Sequence, residues 1–394
     1  MSDSQPLSGL RVIDFTQVML GPCATQTLGD YGADVIKVER IGAGDLSRSS
    51  IDNDPGGSRN PVFCSLNRNK RSIALDLKSP AGLDIVRTMA KTADVVVNNF
   101  RAGVMERMGL GFDALSEINP RIIFAFGTGF GIKGPYAHKG GQDILAQAMS
   151  GAMMRKCDPS DPVTIYPTAL ADYSAGMHLV QGILLALLQR ARTGRGQVVG
   201  VSLYDSMLAM QMQEAAMWLM RDRDFSWGSM PHTGAFATTD GAIVIVGAFR
   251  ANPLRDISSA LGIDDLSLDD RFSSFERSVA NRTALHMILR ARIATNSTAY
   301  WIERLEALDL LCSPVRDLGA ALADPQTEIN GMLVRDAGDT EPLGVVGSPV
   351  HLSDNGFALR HLPPKLGVHG AEILAEYGYD RSTIEHLRME GVLA

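Results

Sequence analysis

Asp172 is the residue of this chain best placed to do chemistry. It stands in Leu170-Ala-Asp-Tyr-Ser-Ala-Gly-Met-His-Leu179, just ahead of a stretch where Met177, Val180, Ile183, Leu184 and Leu187 recur at helical spacing. That spacing predicts a helix over Ser174–Arg192, stopped by Thr193-Gly194. A carboxylate near the positive end of such a helix has two uses. It can cap free backbone N–H groups, or it can be an attacking anion whose negative intermediates those groups stabilise. Asp143, in Gly140-Gly-Gln-Asp-Ile144, reads by itself as the N-cap of a short helix over Ile144–Met149.

Other reactive types are less pointed. Cys23, Cys64, Cys157 and Cys312 are widely spaced, without a C-x-x-C pair; each reads as a small buried apolar residue, no metal site is expected, and a reducing compartment fits. Gly127-Thr-Gly-Phe-Gly131 is not G-x-G-x-x-G, and Ile132-Lys-Gly-Pro135 follows it rather than a helix, so a nicotinamide enzyme is rejected. Arg68 to Arg71 holds three basic residues in four, either a solvated turn or a local anion site.

The elements that must position these groups alternate. Short β-branched runs recur at Leu10–Asp14, Val35–Val38, Ser72–Leu75, Val95–Val97, Ile122–Phe126 and Gln197–Val201, and most are separated by helical patterns, among them Cys23–Tyr31, Pro80–Ala90 and Ile144–Met149. Such alternation implies an α/β fold with a mainly parallel sheet covered by helices. A further helix is expected over Leu203–Met220. The polar, Gly- and Pro-broken stretch Arg221–Pro231 reads as a linker into a second unit with a strand at Gly241–Val246 and helices at Asn252–Leu261, Ala280–Ala294 and Ala299–Leu308. From about Asp324 the proline-rich chain reads as loops with one final helix near Ala371–Tyr377. The expected boundaries are residues 1–221, 222–323 and 324–394.

At 394 residues the chain is long enough for two domains, and 45% hydrophobic with 21% charged residues is ordinary for a soluble protein. A net charge of −7 without a clustered basic block argues against a nucleic-acid partner. The N-terminus lacks the basic start and apolar run of a signal peptide, and no stretch approaches 18 uninterrupted apolar residues, so a cytoplasmic protein with no membrane span is expected.

Taken in order, a dozen short motifs resemble family III CoA-transferases (the CaiB/BaiF group). They are Val12-Ile-Asp-Phe-Thr16 with Gly21-Pro22, Gly32-Ala-Asp-Val-Ile-Lys-Val-Glu-Arg40 with Gly44-Asp45, Asn67-Arg-Asn-Lys-Arg71 with Leu75-Asp-Leu77, Asn98-Asn-Phe-Arg101, Met108-Gly-Leu-Gly111, Asn119-Pro120, Gly134-Pro135, Thr193-Gly-Arg-Gly196, Asp205, Ala323-Asp-Pro325, Gly347-Ser-Pro349 and Leu366-Gly367. The likeness covers essentially the whole chain.

That resemblance implies a Rossmann-like large domain with an inserted smaller α+β domain, and two chains threaded into an interlocked homodimer. It implies a CoA-transferase acting on an acyl-CoA and a small organic acid, many relatives using succinyl-CoA as donor; no cofactor is tightly bound, and the coenzyme A thioester is a substrate. Asp172 takes the nucleophile's place and Asp143 that of an assisting acid. The N–H groups near Tyr173 and Ser174 are expected to face the developing oxyanion. Gln17 has an amide able to donate there, although the family's loop position aligns with Met19. For the coenzyme's phosphates the match points to Arg40, Lys70 in the Asn67–Arg71 turn, and Arg107, with Lys139 similarly placed. His178, Arg48 and Arg250 are available for a distal anion. The family's glycine-run lid is missing, Pro231-His-Thr-Gly-Ala235 standing nearby. The rival reading is an α-methylacyl-CoA racemase, but its histidine position holds Gln142, which does not exchange protons near neutral pH. A non-catalytic CoA-binding protein is the third reading.

Overall fold

The computed structural model describes residues 5–50, 60–156, 161–336 and 342–394; Cys157 and the first four residues of the N-terminus lie outside the described residues. All six expected β runs become strands: β1 Arg11–Asp14, β2 Asp34–Glu39, β3 Lys70–Ala74, β4 Val95–Asn98, β5 Ile123–Thr128 and β6 Val198–Ser202. They form one sheet, β3-β2-β1-β4-β5-β6, with every neighbouring pair parallel. Successive side chains point to opposite faces, and both faces are covered, which is why these strands read as apolar runs. Ile13, Ile36 and Val96 serve one core, while Val12, Val35, Val95 and Val97 serve the other.

The helices that matter for the site are α1 Leu20–Asp30, α2 Pro80–Ala90, α3 Asp143–Met149, α4 Leu170–Thr193 and α5 Leu203–Met210. In α2 the Ser79 side chain caps the Gly82 N–H and Pro80 occupies the first turn. α4 extends beyond the expected 174–192 at both ends and stops on Gly194, whose φ of 73° closes the helix in the left-handed conformation. Its buried stripe is made largely of small residues, Ala171, Ala175, Gly176 and Ala186 with Leu179 and Ile183. Gly176 is required by the approach of α1, since a Cβ there would stand 2.8 Å from the Leu20 backbone oxygen. By length and mean hydropathy, 1.2, α4 is the one described helix that could cross a membrane. Here it packs on α1, β5, β6 and α5. Leu185 and Leu188, on its other side, are 65% and 64% exposed.

The chain divides into two compact units, residues 1–153, 165–211 and 328–394 forming the first, 154–164 and 212–327 the second. The helix expected over Leu203–Met220 accordingly breaks at Gln211, and a separate helix runs Met212–Arg221. The second unit holds a three-stranded antiparallel sheet, β7 Thr233–Ala237, β8 Ala242–Val246 and β9 Leu311–Pro314, packed with helices around Ile257, Leu289 and Trp301. β7 occupies the stretch where a glycine lid was missing.

After Asp324 the structure is more ordered than the prolines suggest. A hairpin, β10 Leu333–Asp336 and β11 Leu343–Val346, and a second helix, Arg381–Met389, accompany the expected one at Gly370–Glu376. The Asn67–Arg71 turn anchors this returning segment. Arg68 pairs with Asp30 at 2.6 Å and donates to the Val346 carbonyl. Asn69, held at φ 60°, accepts from the Arg360 and His361 N–H groups and donates to the Ala358 carbonyl. Arg71 bridges Asp34 and Glu376.

Candidate active site

In an open α/β sheet ligands bind beyond the carboxyl ends of the strands, where the strand order reverses. Here that point lies between β1 and β4. A cleft of about 90 Å³ opens there, lined by Leu20 at the start of α1, Asn99 and Arg101 after β4, the glycine-rich turn 127–131 after β5, Lys139, and Asp172. The turn's glycines are needed for packing: a Cβ on Gly129 would stand 2.4 Å from the Gly141 Cα. A larger cavity, about 750 Å³, lies in the second unit against Trp227, Phe249 and Arg250. It contains none of the expected catalytic carboxylates, and Arg250 is already paired with Asp256 and Asp309. The smaller cleft is the better site because it holds a perturbed carboxylate among cations.

Asp172 is half-buried in the first turn of α4. Loss of hydration, then the neighbouring Asp143 charge, push its carboxyl up to about 6, while a hydrogen bond from the Leu20 N–H pulls it down. It does not cap its own helix. Asp143 does so instead: its Oδ2 accepts the Ala171 and Asp172 N–H groups at 2.7 and 3.0 Å, and its Oδ1 accepts Gln147 Nε2 at 2.6 Å. Asp143 therefore caps α4 rather than α3, in whose first turn it sits.

The expected oxyanion donors shift as well. The Tyr173 N–H is occupied by the Ala169 carbonyl. The backbone N–H that meets the Asp172 carboxylate is instead that of Leu20, at the N-terminus of α1, where Met19 occupies the cap position without a side-chain cap bond. Gln17 is fixed through its backbone, its N–H donating to Asn99 Oδ1 at 2.9 Å and its carbonyl accepting Asn99 Nδ2 at 2.7 Å.

The four expected phosphate-binding cations do not converge. Lys139 lines the cleft, its Nζ 4.3 Å from the Tyr136 ring centre. Arg40, at the end of β2, and Arg107, in a short helix Val104–Arg107, are exposed but do not line it. Lys70 is corrected outright. It is 0% exposed on β3, its Nζ 3.1 Å from Asp14 Oδ2 and bonded to the Pro22 carbonyl and Asn67, so no phosphate reaches it. Burial holds its ammonium down to about 8 despite Asp14. Arg48 is likewise buried on Glu39, and His178 Nδ1 sits 2.9 Å from Ser206 Oγ. Arg101 was not singled out from the sequence, yet it lines the cleft and has no carboxylate partner among the described residues. Its position in Asn98-Asn-Phe-Arg101, straight after a buried strand, was the available signal.

Residues 7–370 match the model of CoA-transferase family III. The chain is 37% identical to the succinyl-CoA:glutarate CoA-transferase of Mus musculus, covering 99% of this chain and 90% of that protein. It is 34% identical to the acetyl-CoA:oxalate CoA-transferase of Acetobacter aceti, covering 94% and 96%. A crystal structure of a CAIB/BAIF family protein from Brucella suis superposes with a TM-score of 0.85 at 33% identity, covering 95% of this chain and 99% of that one.

Proposed function

Because this chain belongs to CoA-transferase family III, we propose that it moves CoA reversibly from an acyl-CoA of the succinyl type to a small organic acid, with Asp172 as the nucleophile. The observation that carries the reading is a single carboxylate, raised to about 6, that meets the open N-terminus of α1 inside a cleft edged by Arg101 and Lys139. The likeness to relatives named for succinyl-CoA, glutarate and oxalate supports the substrate class.

In the proposed reaction an Asp172 oxygen attacks the donor's thioester carbonyl, and the C–S bond breaks to give an acyl-aspartyl anhydride and CoA thiolate. The thiolate then attacks the aspartyl carbonyl, releasing the donor acid and leaving an aspartyl-CoA thioester. The acceptor carboxylate attacks that thioester, the thiolate leaves again, and its return to the new acyl carbonyl frees Asp172. Each tetrahedral intermediate carries negative charge on a former carbonyl oxygen, which the first N–H groups of α1 stabilise, at about 3–4 kcal/mol per donor. Asp143 keeps the start of α4 in register, and Gln17, clamped to the cleft-lining Asn99, supplies an amide. Arg101 and Lys139 take the coenzyme's phosphates, with Arg40 and Arg107 as outlying cations. The second unit acts as the family's inserted small domain. Two copies interlock, burying the exposed Leu185 and Leu188 face of α4.

The test incubates the protein with succinyl-CoA and a panel of small acids, reading the CoA thioesters formed by mass spectrometry. Hydroxylamine added during turnover should mark Asp172. Turnover with an unmodified Asp172 peptide refutes the nucleophile, and deuterium uptake into a 2-methylacyl-CoA would transfer the reading to a racemase.

A further inference from the structure

The loop between β1 and α1 is clamped from below by charged side chains that never reach solvent. Lys37 Nζ donates to the Thr16 carbonyl at 2.7 Å and pairs with Asp45 Oδ2 at 2.8 Å. Asp45 Oδ1 accepts the Val18 N–H at 3.0 Å and the Ser47 N–H at 2.9 Å. Lys37 is 0% exposed and Asp45 1%. Asp45 is in turn held by Glu39, which accepts its N–H and pairs with Arg48.

Val18 has φ 66°, a conformation costly for a β-branched residue. Its side chain is 45% exposed, so packing does not impose that conformation. The bond to Asp45 holds the Val18 N–H, next to the Asn99 clamp on Gln17. Two residues later the chain enters α1, whose Leu20 N–H donates to Asp172. Leu20 has little room to move otherwise, since Gly176 and Gly127 already let α4 and β5 close onto it: a Cβ on Gly127 would lie 2.3 Å from the Leu20 side chain.

We propose that Asp45 is a positioning residue for the transfer reaction, holding Val18 in its left-handed turn so that the Leu20 N–H is aimed at the Asp172 carboxylate. This rests on the reading of Asp172 as nucleophile. Asp45 touches neither substrate nor Asp172 and acts through the loop. An amide at 45 keeps the Oδ1 acceptor for the Val18 N–H but sets its NH2 against the Lys37 ammonium, so it keeps part of the hold on the loop, and a glycine at 18 removes the conformational cost that Asp45 now offsets.

The experiment measures kcat, KM for the acyl-CoA and the pH dependence of kcat/KM for the full chain and for Asp45→Ala, Asp45→Asn, Val18→Gly with Asp45→Ala, and Asp172→Asn. Asp45→Ala should lower kcat by on the order of 10–100-fold, less than the ~100–1,000-fold for outright loss of an oriented donor because the donor is only misaimed, with KM changed less than about threefold. Its acid limb should move to higher pH, because the carboxylate loses the N–H that favours the charged form. Asp45→Asn, which keeps the acceptor but not the Lys37 pair, should lose less kcat than Asp45→Ala, and Val18→Gly should restore part of what Asp45→Ala loses. An unchanged kcat in Asp45→Ala, or a loss with no movement of the acid limb and no recovery through Val18→Gly, overturns the inference. If Asp45→Ala does not fold, Asp45→Asn decides: a kcat loss as large as that predicted for alanine overturns it. Full activity in Asp172→Asn would instead overturn the reading beneath it.

Discussion

Replacing Asp172 by Asn should make the protein inactive and, at neutral pH, more stable. The carboxyl is raised from an ordinary 3.8 to about 6, first by lost hydration and then by Asp143. Each unit corresponds to about 1.4 kcal/mol, so the folded state bears roughly 3 kcal/mol at pH 8 for keeping this group ionised. The sign follows from the raised value. The folded protein binds this proton more tightly than the unfolded chain, so the group's stabilising contribution is complete below about pH 3.8 and is lost as pH rises through about 6. Asn is neutral throughout, and its Oδ1 still accepts the Leu20 N–H. The melting midpoint of Asp172→Asn minus that of the parent should therefore be near zero at pH 4, rise between pH 4 and 6, and level off above. Across that range acyl transfer should be lower by about a thousandfold or more. Differential scanning calorimetry at half-unit pH steps, paired with the thioester assay, checks both. A difference that is flat with pH, or a variant less stable than the parent at pH 8, refutes the electrostatic account of this site.

Three further outcomes are expected. Asp143→Asn removes the like charge beside Asp172, so the acid limb of kcat/KM should move below pH 6, measured in a pH–rate profile. Gly176→Ala puts a Cβ 2.8 Å from the Leu20 carbonyl oxygen, so α1 must back away; calorimetry should show a loss of about 1–3 kcal/mol, and kcat should fall with it. Lys70→Met leaves Asp14 charged and buried beside Lys37 alone, costing about 3–5 kcal/mol in denaturant unfolding, yet any folded fraction should keep its KM for acyl-CoA, since Lys70 lies out of reach of ligand.

The sheet was legible because its strands are buried on both faces, and apolar runs such as Val95-Val-Val97 announce that directly. The place of Asp172 was legible for a similar reason, as an acid in the first turn of a long apolar helix. What depended on partners distant in sequence was not. Lys70 reads as one cation of a basic turn until the register sets Lys70 on β3 beside Val35 and its Nζ against Asp14. The hint was an opposite charge at the ends of two strands of the same sheet, Asp14 closing β1 and Lys70 opening β3. Asp143 shows the same limit, since its sequence neighbours suggest α3, whereas its carboxylate caps α4, a helix that begins at Leu170. The break at Gln211 was hidden because helical periodicity continues across it, and only the division into two units interrupts the helix.

Besides Asp30 and Asp34, the turn formed by Arg68, Asn69 and Arg71 finds partners 278 to 305 positions further along the chain. At a ribosomal rate of about 5–20 residues per second, those partners emerge roughly 15–60 s after the turn itself. During that interval Arg68 and Arg71 have only Asp30 and Asp34 from their own half, so the turn completes its bonds only after the returning segment has emerged.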